Sequence, residues 1–154
     1  MHRLEDFDLF VYDFDGVLTD NRVLVLEDGT EGVFCNRGDG LAISYFKKQD
    51  KKQVILSTET NPVVSSRAKK LNLAVIQGSE SKLDALRQIW EESGVKPERT
   101  LYIGNDINDL EAMETCGLRV CPQDSCSEII DLAHVVTKAR GGEGVVRELM
   151  DIFS

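Results

Sequence analysis

The chain has 154 residues and a net charge of −9, from 27 acidic and 18 basic side chains. That length suits one domain over residues 1–154, and with 42% hydrophobic and 29% charged residues it excludes a disordered chain and can bury a real core. The acidic balance disfavours a nucleic-acid partner, which needs a basic patch, and no apolar run reaches the ~20 residues that cross a bilayer.

The opening stretch carries acids within its apolar residues and does not read as a signal peptide, so the expectation is a soluble cytoplasmic protein. Cys35, Cys116, Cys121 and Cys126 form no CxxC pair, and His2 and His134 lie far from any cysteine cluster in sequence. That pattern speaks against zinc and for reduced thiols, with Cys35 and Cys116 as small near-core residues.

In chain order, Leu9 to Tyr12 reads as a buried strand that ends at Asp13. Arg22 to Leu26 and Thr30 to Phe34 read as a hairpin turning at Glu27-Asp28-Gly29. Gly40 to Lys48 is a predicted helix, and Val54 to Leu56 a strand ending at Ser57. Pro62 suits a first helical position, with Val63, Val64, Ala68 and Leu71 as the apolar face. Leu73 to Ile76 is a strand, and Ser81 caps a helix bearing Leu83, Leu86, Ile89 and Trp90. Thr100 to Ile103 is a strand ending at Gly104, followed by a helix with Leu110 and Met113. Leu118 to Val120 and His134 to Val136 are later strands, and Val145 to Phe153 is a closing helix.

Apolar, unalternating strands interleaved with helices indicate a parallel sheet covered on both faces. Ligands of such sheets sit beyond the carboxyl ends of the strands. That rule selects Asp13 and Asp15, Ser57, Gln77 and Gly78, and Asn105 and Asp106.

Four polar elements occupy those ends. In Asp13-Phe14-Asp15-Gly16-Val17-Leu18-Thr19-Asp20, two carboxylates this close repel unless a cation or a shared proton intervenes, and a hard cation such as Mg2+ takes oxygen ligands. Ser57 offers a hydroxyl to a phosphate oxygen. Lys82 sits near a helix start, where cations are disfavoured unless they hold an anion. Gly104-Asn105-Asp106-Ile107-Asn108-Asp109 follows a strand, opens a helix and is dense in oxygen ligands. Each has an ordinary reading alone, as a turn cap, a loop serine, a solvated lysine or an N-cap. Their order at successive strand ends is what an ordinary reading does not explain.

On these motifs the chain resembles the haloacid dehalogenase superfamily over almost its whole length. The resemblance implies a Rossmann-like three-layer α/β/α parallel sheet with a β-hairpin inserted after the first strand and no cap domain. It implies a phosphatase in which Asp13 attacks phosphorus, Asp15 is acid and then base, and Ser57 and Lys82 hold the phosphoryl oxygens. Mg2+ is expected on Asp13, the Asp15 backbone carbonyl and a residue of the fourth motif. The family has an acid directly after the fourth-motif glycine. This chain has Asn105, so either the Asn105 amide oxygen or Asp106 is the ligand.

Within the family the chain is similar to the capless branch acting on phosphorylated eight- and nine-carbon keto sugar acids. That branch forms homotetramers in which a neighbour helps to close the site. Arg140-Gly141-Gly142-Glu143-Gly144 matches its C-terminal glycine-rich motif. Glu59 stands where the octulosonate 8-phosphate phosphatases carry Arg, and with Arg67 and Lys70 it resembles the nine-carbon group. The substrate-binding residues implied are Gly16, Asp39, Gly40, Thr58, Glu59, Arg67, Lys70 and Asn108. The expected substrate is thus 2-keto-3-deoxynononate 9-phosphate or sialic acid 9-phosphate, with octulosonate 8-phosphate as the alternative. A third reading, a non-catalytic oligomerising domain of the kind fused to acylneuraminate cytidylyltransferases, is disfavoured because Asp13 and Asp15 are both present.

Overall fold

The computed structural model describes residues 2–154. Six parallel strands form one sheet in the order β5-β4-β1-β6-β7-β8. They are β1 (Leu9–Tyr12), β4 (Lys52–Leu56), β5 (Ala74–Ile76), β6 (Thr100–Ile103), β7 (Leu118–Cys121) and β8 (Val135–Val136). The short ribbon β2 (Leu24–Val25) and β3 (Glu31–Gly32) stands apart as a second, antiparallel sheet.

Alternate residues of β1 divide the core between the two faces. Phe10 and Tyr12 join Phe46, Val64 and Leu149 beneath α1 (Arg37–Lys48), α2 (Pro62–Leu71) and α6 (Val145–Ile152). Leu9 and Val11 join Leu86, Met113 and Ile129 beneath α3 (Lys82–Ser93), α4 (Leu110–Glu114) and α5 (Ser127–Leu132). Both faces of β1 are buried, which is why it reads as a continuous apolar run rather than an alternating one.

Local chemistry sets the helix ends. Asn36 accepts from Gly38 N at 2.7 Å to start α1, three residues before the predicted Gly40. Asn61 accepts from Val63 N with Pro62 at the first helical position of α2, and Asn72 closes it with φ 53°. Ser81 caps α3 through Asp84 N, and Gly94 ends it at φ 72°. Helix α5 is absent from the sequence reading. It has six residues and Cys126 at its cap makes no side-chain hydrogen bond, so no start signal marks it.

The hairpin prediction is corrected in length. Only Leu24–Val25 and Glu31–Gly32 pair, and Val33 turns into the core while Leu24, Leu26 and Phe34 stay exposed. The chain between β1 and β4 holds only the turn after β1, this ribbon and α1, and that between β4 and α3 only α2 and β5, so among the described residues no cap covers the carboxyl ends of the strands. Among the described residues no helix is long and apolar enough to cross a membrane.

Candidate active site

Asp13 directly follows β1, the third of the six strands in the order, and its backbone N–H donates to Ile103 O of β6 at 2.9 Å. The chain then turns sharply. Asp15 (φ −71°, ψ 122°) and Gly16 (φ 85°, ψ −3°) have the dihedrals of a type II turn, which requires a residue tolerant of positive φ at its second corner. Gly16 meets a second demand as well, because a Cβ there would lie 2.7 Å from Asn105 Cγ. The predicted binding role of Gly16 is therefore that of shaping the loop. Thr19, fully buried, accepts from Gly16 N and Asn21 N and braces the loop from below.

The glycine-rich segment after β8 clamps the same loop. Gly142 N donates to Val17 O at 3.1 Å, and a Cβ on Gly141 would lie 2.6 Å from the Gly16 carbonyl carbon. This segment contributes backbone shape where the sequence suggested only a motif.

A buried charge cluster lies under Asp13. Lys82 Nζ is 2.9 Å from Asp13 Oδ1 and 2.7 Å from Asp109 Oδ1, and all three side chains are almost wholly buried. Asp109 also accepts from Tyr102 OH at 2.8 Å and, through Oδ2, from the backbone N–H of Asn105 and Asp106. Its side chain fits because Gly104 has none; a Cβ there would lie 2.7 Å from Asp109 Cγ. Asp109 was not among the predicted site residues, although it closes the Gly104–Asp109 motif. Its signal is positional, since only the folded turn shows it pointing back under the sheet.

Burial pushes the Asp13 carboxyl well above the usual carboxylate range, Asp109 adds in the same direction, and Lys82 opposes both. For Lys82 burial acts downward, yet its two carboxylate partners win and hold the ammonium above its ordinary value. Asp15, half-buried, is raised first by burial and then by the nearby charge of Glu59.

Above the cluster, Asp13, Asp15, Asn21, Ser57, Thr58, Asn105, Asp106 and Asn108 line a cavity of about 90 Å³. That is well below the ~300 Å³ at which pockets begin to enclose a drug-sized ligand. It suits a phosphoryl-sized group with the rest of the ligand outside. A wider depression of about 440 Å³ adjoins it, sharing Thr58 and Asn108 and bounded by Lys82, Glu80 and Glu111. Ser57 Oγ accepts from Glu59 N at 3.1 Å, which leaves its hydroxyl hydrogen free to donate into the cavity.

A cation fits this donor set. The Asn105 side-chain terminus lies 2.8 Å from Asp13 Oδ2 and 3.1 Å from Asp15 O. Cis oxygens around an octahedral ion with ~2.1 Å bonds stand about 3 Å apart, so the spacing matches. Asp106 also faces the cavity, but one of its oxygens caps the following turn through Ile107 N.

Several predicted residues fall elsewhere. Asp39 is turned into the α1–α6 interface, where it accepts from Arg147 N at 3.0 Å and caps α6, so the structure corrects its substrate-binding assignment. Gly40, Arg67 and Lys70 line a separate basic depression with Arg37 and Ser44 that shares no residue with the Asp13 cavity. Glu59 was expected to project toward a substrate; instead its Oε1 folds back onto Thr60 N and Asn61 N, each at 2.9 Å. Among the described residues its other oxygen makes no hydrogen bond.

Known proteins resemble this chain in sequence and fold. The profile of the haloacid dehalogenase-like hydrolases matches residues 39–149. The chain is 32% identical to the 3-deoxy-D-manno-octulosonate 8-phosphate phosphatase of Escherichia coli over 99% of its own length and 82% of that protein. A HAD family hydrolase of Streptomyces avermitilis superposes with a TM-score of 0.95 at 44% identity, covering 98% of this chain and 87% of that one. The octulosonate 8-phosphate phosphatase of Moraxella catarrhalis, solved with magnesium, phosphate and KDO, superposes with a TM-score of 0.93 at 29% identity, covering 97% and 87%. The chain thus belongs to the haloacid dehalogenase-like hydrolases.

Proposed function

We propose that this protein is a Mg2+-dependent phosphomonoesterase acting on a phosphorylated keto sugar acid. The observation that carries the reading is that Asp13, which lines a cavity of phosphoryl size, is paired with buried Lys82 at 2.9 Å. Asp13, Asp15 O and the side-chain oxygen of Asn105 would hold the cation; Asn105 is preferred to Asp106 because it lies against Asp13 and Asp15 O, while one Asp106 oxygen caps Ile107 N. When bound, Mg2+ supplies positive charge to the phosphoryl oxygens and to the Asp13 carboxylate.

The residues of this chain account for the rest. The Asp13 carboxylate attacks phosphorus, the bond to the sugar oxygen breaks, and Asp15 gives that oxygen its proton. Its raised affinity for a proton, from burial and Glu59, suits this task. Asp15 then takes a proton from the water that attacks the aspartyl-phosphate, which frees phosphate and restores Asp13. Lys82 and the Ser57 hydroxyl hold the phosphoryl oxygens in place, and phosphoryl transfer rests mainly on such positioning and charge neutralisation.

For the substrate, relatives near 30% identity over nearly the whole chain are octulosonate 8-phosphate phosphatases, and this favours the eight-carbon acid. The nine-carbon acid is a second reading because Glu59 stands where the octulosonate phosphatases carry Arg, and Arg67 and Lys70 resemble basic positions of the nine-carbon group. Glu59 supports it less than its position in the sequence suggested, since one oxygen is held by its own loop. Arg67 and Lys70, lying outside the Asp13 cavity, fit a role in a neighbouring subunit's site. A homotetramer is proposed on that ground and on the exposed apolar ribbon.

The test is kcat/KM with Mg2+ for the two phosphates, in the wild type and in Glu59→Ala. A preference for the eight-carbon substrate that survives Glu59→Ala supports the leading reading. A nine-carbon preference abolished by Glu59→Ala would reverse it, and no turnover of any sugar phosphate would remove the phosphatase reading.

A further inference from the structure

Asn105 is 8% exposed, and only one torsion separates two opposite faces of its side chain. One terminus lies against Asp13 Oδ2 and Asp15 O, while the other faces only hydrogen-bond donors. A primary amide has two N–H donors at one end and two lone pairs at the other. With Nδ2 forward it donates to both site oxygens, at 2.8 and 3.1 Å, and its carbonyl meets the donors behind it. With Oδ1 forward it lies 2.8 and 3.1 Å from the Asp13 and Asp15 oxygens and leaves Nδ2 against donors, so a cation is required to hold this arrangement. A carboxylate at this position could make only the second arrangement, because it has no N–H to offer.

We propose that Asn105 is a cation-operated amide switch, which hydrogen-bonds Asp13 and the Asp15 carbonyl when no cation is bound and turns its oxygen forward when one enters. The inference rests on the Mg2+ reading above and assigns a use to the one departure from the family motif. The slot in which the amide turns is cleared by Gly16, whose missing Cβ would otherwise lie 2.7 Å from Asn105 Cγ. Two consequences follow from the chemistry. Loading must break two hydrogen bonds, and of the three donors only Asp13 carries a formal charge, so the cation is held more weakly than an acid at 105 would hold it. An acid at 105 would instead set a further carboxylate against Asp13 Oδ2 in the unloaded site, so that variant would lean more on the metal than the wild type does.

Calorimetric Mg2+ titration and proton–nitrogen spectra of the side-chain amides test this on the intact protein. The Asn105 amide pair, assigned by its disappearance in Asn105→Asp, should be protected from solvent exchange in chelator. It should change with the same midpoint as Mg2+ binding. Asn105→Asp should bind Mg2+ at least roughly tenfold more tightly, since cation affinity follows the charge of the ligand set. It should also gain much more thermal stability from Mg2+ than the wild type does. Asp106→Asn should leave the affinity within about twofold of wild type if the ligand is Asn105. An amide pair that ignores Mg2+ while calorimetry records binding would overturn the switch, as would an Asn105→Asp variant that binds no more tightly. A wild type that binds no Mg2+ would instead remove the metal reading, and the switch with it.

Discussion

The ammonium of Lys82 lies 2.7 Å from Asp109 Oδ1, nearer than to Asp13 at 2.9 Å, so a residue implied as a phosphate holder is also the counter-ion of a structural carboxylate. One buried cation serves two buried acids. Removing it leaves both uncompensated, and breaking a buried pair in this way costs about 3–5 kcal/mol. Lys82→Met should therefore lose both turnover and about that much stability in urea unfolding at neutral pH. A loss below about 1 kcal/mol would show that water or a cation already screens the two carboxylates.

Asp13→Asn should separate chemistry from folding. It removes one of the two acids that compete for Lys82 while keeping the side-chain shape. Turnover should vanish, and stability should stay within about 1 kcal/mol of wild type or rise. Near-normal phosphatase activity in the folded variant would exclude Asp13 as the nucleophile.

Gly141→Ala should damage the catalytic loop from a distance. Its Cβ would overlap the Gly16 carbonyl and crowd Thr19 O at 2.9 Å, both backbone atoms that cannot swing aside. Overpacking of this kind costs about 1–3 kcal/mol. Because Gly16 shapes the turn beside Asp15, kcat should fall as well. Unchanged kcat and melting temperature would show that the loop tolerates displacement.

Asp39 provides a pH signature. Burial raises its carboxyl to about 6, against the pull of the Arg147 and Val146 N–H groups and of Arg67. A carboxyl raised on folding binds its proton more tightly in the native state. Its stabilising contribution is therefore complete below the unfolded value of 3.8 and is lost as pH rises toward about 6. Above that the penalty is constant, on the order of 2–3 kcal/mol. Asp39→Asn keeps an acceptor for α6 and removes the charge. Unfolding free energies between pH 4 and 7 should show the variant gaining on wild type as pH rises; parallel curves would exclude Asp39 as the source.

The ribbon should carry assembly. Leu24 is 58% exposed and Phe34 71%, beside Val23, Val25 and Leu26, a large apolar surface for two short strands. Light scattering should give four times the 17.2 kDa chain mass for wild type and a lower mass for Leu24→Glu with Phe34→Ser. A wild type that is a stable, fully active monomer would refute the tetramer.

Much of this was legible before any fold. Continuous apolar runs marked β1, β4 and β6, and polar residues just past them marked the cavity, because a parallel sheet buried on both faces leaves only its strand ends for chemistry. Asn61-Pro62 and Ser81 announced their helices because capping is local chemistry. The six-residue α5 was silent for the converse reason: it is held by packing of Ile129 rather than by a cap.

Where side chains point was set by packing between distant segments. Asp39 and Glu59 carry the charge a substrate site wants, yet one caps α6 across the α1–α6 interface and the other caps its own loop. Asp109 read as the last polar residue of a turn and proved to be the buried partner of Lys82. The sequence alone determined the strand ends, the two aspartates and the departure at Asn105. Orientation followed from long-range contacts, Lys82 against Asp109 and Gly141 against Gly16, whose spacing arises only when distant segments are brought side by side.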